Sequence, residues 1–250
     1  MSDRIEVKNI DGVADVRLVR TDKMNALDEK MFSALLSTTE ELANDNSVRC
    51  VVLSGEGRAF CAGLDMGNFG KMADGSGGGS PTARAPLAER THGIANRPQQ
   101  AVWGFQLSLG ADIRIVHPAT KMSIMEIKWG LVPDMAGTAI MRNLCRDDIL
   151  RELTYTGRIF SGADALNYGF ATEVSETPYE RAMELAKTIA SKNPDAIRAN
   201  KQIFNNLPDL NAAESLLQES VLQDKIIGSK NQIEAVMAEL QKRAPVFDDG

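Results

Sequence analysis

Histidine and cysteine are scarce in this 250-residue chain, which holds His92 and His117 and the three cysteines Cys50, Cys61 and Cys145. The cysteines are odd in number, widely scattered and form no CxxC pair, so buried free thiols are expected rather than disulfides or a metal site. The two histidines have no ligand-like spacing to each other or to the cysteines, which sets aside zinc chemistry and a Ser-His-Asp triad. Long hydrophobic runs are also missing. The longest resemble Val51-Val52-Leu53, far short of the roughly 20 residues of a membrane span. Residues 1–12 lack the apolar stretch of a secretory signal, so the cytoplasm is the expected compartment, with no membrane partner. An excess of basic charge is absent too: 28 Lys+Arg against 34 Asp+Glu leave a net charge of −6. That balance argues against nucleic acid as a partner, while leaving room for a local basic pocket for phosphates.

What is present is an ordinary globular composition, 43% hydrophobic and 25% charged, long enough for one large domain or a domain with an appendage. Ile5, Val7 and Ile10 suggest a strand, and residues 13–19 alternate apolar and polar positions like a second. Asp28 reads as the N-cap of a helix carrying Met31, Leu35, Leu36 and Leu42. Residues 48–53 read as a buried strand ending in a Ser54–Gly57 turn. Strand–helix–strand order predicts a βαβ unit in a mixed or parallel sheet. Residues 66–84, with Gly75, Gly77, Gly78, Gly79 and Pro81, read as a low-complexity loop, and 86–103 as a polar helix. Strands are expected at 111–116, 121–125 and 171–174. Helices are expected near 136–154, 178–191, 194–206, 211–227 and 231–243. The chain is therefore α/β first and helical later, with no internal repeat.

Two stretches carry chemistry. In Gly57-Arg58-Ala59-Phe60-Cys61-Ala62-Gly63-Leu64-Asp65, small residues after a strand let the backbone approach a ligand and aim successive N–H groups at it. Taken alone, its spacing favours a turn between a strand and a helix. In the second, Glu126 ends a predicted strand and Asp134 follows eight residues later, after a Gly/Pro turn. A loop that folds back aims both carboxylates at one substrate, as an acid and a base. Otherwise Asp134 caps a helix and Glu126 is a solvated edge residue.

Together these stretches resemble the crotonase (enoyl-CoA hydratase/isomerase) superfamily, over nearly the whole chain. Arg20-Thr21-Asp22-Lys23-Met24-Asn25-Ala26-Leu27, Gly110-Ala111-Asp112-Ile113-Arg114-Ile115, Thr156-Gly157-Arg158 and Gln241-Lys242-Arg243-Ala244-Pro245 match in order and spacing. The resemblance implies a spiral of ββα units over 1–190 and a helical C-terminal region, 191–250, used in subunit contacts of a trimer or dimer of trimers. It implies an acyl-CoA substrate with coenzyme A as part of it, and no prosthetic group. A thioester enolate is held by two backbone N–H groups, of which Leu64 supplies one. Lys23, Met24, Asn25, Ala62 and Asp65 correspond to the coenzyme A-contacting segments, and Lys242 to a lysine that reaches the phosphates.

The resemblance also exposes two departures. Hydratases of the family use two glutamates, and the first falls on Gln106, which cannot ionise, while the second falls on Glu126. Asp134 falls where the dienoyl-CoA isomerase branch carries a proton-accepting aspartate, and Glu126 on its partner carboxyl, so double-bond shifting is preferred to hydration. That branch normally has a third acid at the Gln106 position. The second departure is at Trp103-Gly104-Phe105-Gln106, where relatives have an apolar strand and a glycine-rich turn, about twenty residues that are absent. The turn would carry the second oxyanion donor, whose loss typically costs a factor of roughly 10² to 10³ in rate. Three explanations stand: a segment present in the protein but missing from this sequence, a deletion in the gene, or Gly104 as a substitute donor. Losing the donor outright leaves a non-catalytic acyl-CoA-binding protein.

Intact mass spectrometry separates the first explanation from the others. A mass of 27.2 kDa is expected for the chain as it stands; a heavier species carrying the additional strand and turn overturns that expectation.

Overall fold

The computed structural model describes residues 3–65, 104–133, 135 and 137–249. The expected loop at 66–84, the expected helix at 86–103 and Asp134 lie outside the described residues.

The chain opens with β1 (Ile5–Ile10) and β2 (Val13–Leu18). Asp11 and Gly12 both take positive φ, 53° and 79°. Two successive residues of that kind make the tight hairpin turn whose twist matches antiparallel strands. Helix α1 (Glu29–Ala43) then leads to β3 (Cys50–Gly55), and the sheet order is β1-β2-β3. Arg49 N–H donates to Gly12 O and Glu56 N–H to Leu18 O, so β3 runs parallel to β2 and the βαβ expectation holds. The alternation expected for β2 does not. It is the middle strand, and both of its faces are covered, so it is buried at almost every position, including Asp15. That carboxylate is tolerated inside because Arg17 Nη2 lies 2.7 Å from Oδ2 and the Tyr179 hydroxyl donates to the same oxygen at 2.9 Å.

Asp28 caps α1 as expected, its Oδ1 accepting from Met31 N–H at 2.8 Å. Met31 and Ala34 turn inward, whereas Leu36 is exposed and Leu35 and Leu42 are only half-buried. Because Leu36 lies five positions after Met31, it points to the opposite side of the helix.

The second half begins with α2 (Gly104–Leu109), then β4 (Ile115–Val116) and β5 (Lys121–Met122). Helices α3 (Gly137–Met141) and α4 (Asp147–Thr156) precede β6 (Phe160–Ser161), α5 (Gly162–Tyr168) and β7 (Glu173–Val174). The strands expected at 111–116 and 121–125 shrink to two residues each. β4 pairs in parallel with β7, and β5 pairs antiparallel with β6. Between these pairs lies a core of Leu109, Ile124, Met141, Leu153, Phe160 and Phe170. Phe105 enters it edge-on, its ring 5.6 Å from Phe160 and 5.2 Å from Phe170, at 86° and 85°.

The helical C-terminal region is present: α6 (Pro178–Ala190), α7 (Pro194–Asn206), α8 (Ala212–Ile226) and α9 (Lys230–Gln241). Contacts divide the chain into two compact units. One takes the described parts of Met1–Lys8, Asp15–Leu42 and Leu53–Ala182; the other takes Asn9–Ala14, Ala43–Val52 and Met183–Gly250. In the second unit Arg49 binds Asp249 at 2.6 Å and the Ala190 and Phe247 carbonyls at 3.2 Å. Asn231, buried, joins Asp195 to the Asp248 backbone. Among the described residues no helix is long and apolar enough to cross a membrane.

Asp28 supplies a pH-dependent part of the first unit's stability. Burial pushes its carboxyl up, but the hydrogen bond from Arg4, the Met31 amide and the nearby Arg20 outweigh it and hold the group below its ordinary 3.8. A folded-state value below the unfolded one stabilises above the unfolded value and is lost as pH falls through the folded one. Asp28→Asn is therefore expected to lower unfolding free energy by about 1–2 kcal/mol at pH 7. The difference from the parent shrinks at acid pH, as read by urea denaturation at several pH values.

Candidate active site

The Cys61–Leu64 stretch runs as a short extended segment beside the turn that follows β2. Leu64 forms a parallel bridge with Leu27: Leu27 N–H donates to Gly63 O at 2.8 Å and Asp65 N–H to Leu27 O at 3.0 Å. Because both flanking bonds go to Leu27, the N–H of Leu64 itself points to the other side. Among the described residues no acceptor engages it.

The turn opposite is held by Arg20 and Asn25. Met24 and Asn25 both adopt positive φ, 51° and 56°. Asn25 is fully buried, and its Nδ2 donates to Glu56 O at 3.0 Å and Ala59 O at 2.8 Å, which ties the turn to the loop leading into Cys61. Arg20 Nη1 binds Ala26 O at 2.9 Å and Nη2 binds Asp65 Oδ2 at 2.6 Å. Asn25 and Asp65, both expected to touch coenzyme A, thus engage the protein's own backbone and Arg20. Lys23 and Ala62 are exposed and Met24 half-buried, so the open groups of this segment are those three. Lys242, in the second unit, is exposed at the left-handed C-terminal cap of α9. Arg20 and Asn25 act on the site through its frame. Asn25 stood in the sequence as a ligand contact, and nothing there marked its side chain as structural.

Burial pushes the Cys61 thiol up to about 11, outweighing the opposing hydrogen bond from the Gly63 amide. The thiol is therefore protonated near neutral pH and no nucleophile.

Gln106 and Glu126 meet directly. Gln106 sits on α2, where its side chain is 2% exposed, and its Nε2 donates to Glu126 Oε1 at 2.6 Å. Glu126 opens the 3-10 turn Glu126–Trp129 rather than ending a strand, since β5 stops at Met122. Ile124, between them, is buried in the aromatic core and fixes where the turn begins. The Gln106 oxygen is buried with no partner among the described residues. α2 starts at Gly104. A Cβ on Gly104 would lie 2.5 Å from Cys61 O and 3.1 Å from Gly63 N, so the beginning of α2 rests on the segment that carries Leu64. The structure brings Leu64, Gly104, Gln106 and Glu126 into one unit; Asp134 lies outside the described residues.

Because Gly104 abuts backbone that has nowhere to go, Gly104→Ala is expected to destabilise by about 1–3 kcal/mol and to disturb the Leu64 donor. Calorimetry with an acyl-CoA titration checks both; an unchanged melting temperature refutes the close approach.

Two descriptions of the same family match this chain: the "Enoyl-CoA hydratase/isomerase" models cover residues 100–250 and residues 13–89. The chain is 24% identical over 265 residues to a mitochondrial methylglutaconyl-CoA hydratase of Mus musculus, covering 98% of this chain and 83% of that protein. It is 24% identical over 264 residues to a mitochondrial Delta(3,5)-Delta(2,4)-dienoyl-CoA isomerase of Dictyostelium discoideum, covering 98% and 90%. A solved structure, a probable enoyl-CoA hydratase/isomerase from Mycobacterium abscessus, superposes with a TM-score of 0.83 at 27% identity, covering 100% of both chains. The mixed sheet, the helical C-terminal region and these likenesses agree, and the chain belongs to the enoyl-CoA hydratase/isomerase family, with the crotonase fold.

Proposed function

We propose that this protein isomerises a double bond in an acyl-CoA thioester, with Glu126 and Asp134 as proton carriers. The observation that supports this is the 2.6 Å hydrogen bond from the Gln106 amide to Glu126. Where the hydration reading asks for a second carboxylate, this chain has a neutral amide that cannot take a proton from water. Isomerisation removes a proton at one carbon of the acyl chain and returns one at another, so no second base for water is required. Asp134, ionised, takes the proton, and Glu126, protonated, supplies one at the other end, so the double bond is displaced with no net change in substrate atoms. The two carboxyls end with exchanged protonation states, which proton exchange with water restores before the next turnover. The charge that develops on the thioester oxygen between these transfers is stabilised by the outward-facing N–H of Leu64. Lys23, Met24 and Ala62 are the groups proposed to hold coenzyme A, with Asn25 and Asp65 supporting the same segment; Lys242 is proposed to reach the phosphates of a coenzyme A held by a neighbouring subunit.

A second reading, an acyl-CoA-binding protein without turnover, rests on the roughly twenty residues before Phe105 by which this sequence falls short of the family pattern. Assembly into a homo-oligomer is part of the proposal. Phe204, Leu216, Leu217 and Leu240 are exposed on the C-terminal helices, apolar surface that contact with a second subunit would cover.

Assays on 2-enoyl-, 3-enoyl- and 3,5-dienoyl-CoA decide between these readings. Isomerisation is expected, falling by roughly 10² to 10⁴-fold in Glu126→Gln and in Asp134→Asn. Hydration that depends on Glu126 and survives Asp134→Asn overturns it. Binding without turnover establishes the second reading.

A further inference from the structure

Two neighbours define the orientation of the Gln106 amide. On one side, Nε2 donates to Glu126 Oε1 at 2.6 Å. On the other stands Gly137, the buried first residue of α3. A Cβ placed on Gly137 would overlap Gln106 Oε1, lie 2.7 Å from its Cδ and 3.1 Å from its Cγ. The outer part of the Gln106 side chain therefore occupies the volume a side chain at position 137 would need. Nε2 is the amide's only donor, and Glu126 Oε1 accepts from it whether or not the other carboxyl oxygen carries a proton, so the amide nitrogen faces Glu126 and the oxygen faces Gly137. With 2% exposure, Gln106 has no solvent-side alternative.

We propose that Gly137 is a positioning residue: its hydrogen, in place of a side chain, seats the Gln106 amide, and the seated amide holds the Glu126 carboxylate in one orientation. The proposal rests on the reading of Glu126 as a proton carrier. The seat explains why a buried amide oxygen without a partner is kept. Gln106 Oε1 is one of the few such atoms among the described residues, and leaving an acceptor unsatisfied opposes folding. What is gained is a carboxylate with one oxygen already engaged, so its remaining rotational freedom is small. Proton transfer depends steeply on such placement, and a misplacement of about 1 Å costs on the order of 10²-fold in rate.

An added methyl at 137 meets the movable end of a side chain rather than backbone, so the expected response is displacement of Gln106. The experiment is a cycle of Gly137→Ala, Gln106→Ala and the double variant, with melting temperature, kcat and KM measured for each. Gly137→Ala is expected to lower kcat on the order of 10²-fold with KM changed less than about twofold. Gln106→Ala lowers kcat to a similar degree. In the double variant the truncated side chain leaves room for the methyl, so kcat matches Gln106→Ala alone and the melting temperature returns to that variant's value. Losses that multiply in the double variant, or a double variant that melts as low as Gly137→Ala, overturn the proposal. If Gly137→Ala alone does not fold, a folded double variant supports the seat and an unfolded one overturns it. A parent without turnover on any acyl-CoA thioester, but with the melting temperatures still coupled, places the failure in the Glu126 reading and not in the seat.

Discussion

Phe105 stands edge-on to both Phe160 and Phe170, and the position of the site follows from that contact. α2 has six residues, too few to be helical through propensity alone. It is held by what it packs against. Each edge-to-face pair contributes about 0.5–1.5 kcal/mol beyond the area buried, and two of them meet at one ring. Once Phe105 is locked into the core, the helical step of about 100° per residue sends the next side chain, Gln106, out of the aromatic cluster. There it meets Glu126, whose turn is fixed from the same core through Ile124. Both polar groups thus hang from one hydrophobic cluster, which is why two residues twenty positions apart reach hydrogen-bond distance without sharing a strand.

The other half of the site is built from backbone. The Leu27–Leu64 bridge consumes the hydrogen bonds on one edge of the 61–65 segment and leaves the Leu64 N–H on the opposite edge. Asn25 and Arg20 stiffen both sides of that bridge with side-chain bonds to carbonyls and to Asp65. A donor fixed before the substrate arrives costs no reorganisation when charge develops on it. Gly104 makes the two halves one object, because its missing side chain lets α2 rest on Cys61 and Gly63.

The places where sequence periodicity fails follow one rule. β2 was expected to alternate between core and solvent, yet both of its faces are covered by packed structure, and Asp15 goes inside with Arg17 and Tyr179. Leu36 looked like core and is exposed, whereas Ala34, which no hydrophobic pattern singled out, is buried. The strands at 111–116 and 121–125 shorten to two residues because their partners, β7 and β6, are that short. In each case the neighbour across the contact decided, and a pattern along one segment carries no information about that neighbour.

Local patterns alone determined the βαβ start, the Asp28 cap, the run of C-terminal helices and the family, since caps, turns and motif spacing are written in contiguous residues. They also determined that position 106 holds an amide where a carboxylate was expected. Only the tertiary structure decided that this amide faces Glu126, that Gly137 provides its seat, that Asn25 braces the frame, and that Leu64 points its N–H away from Leu27. Those facts depend on which distant segments touch. Hydrogen-bond direction and the space beside a glycine exist only once the chain has closed on itself.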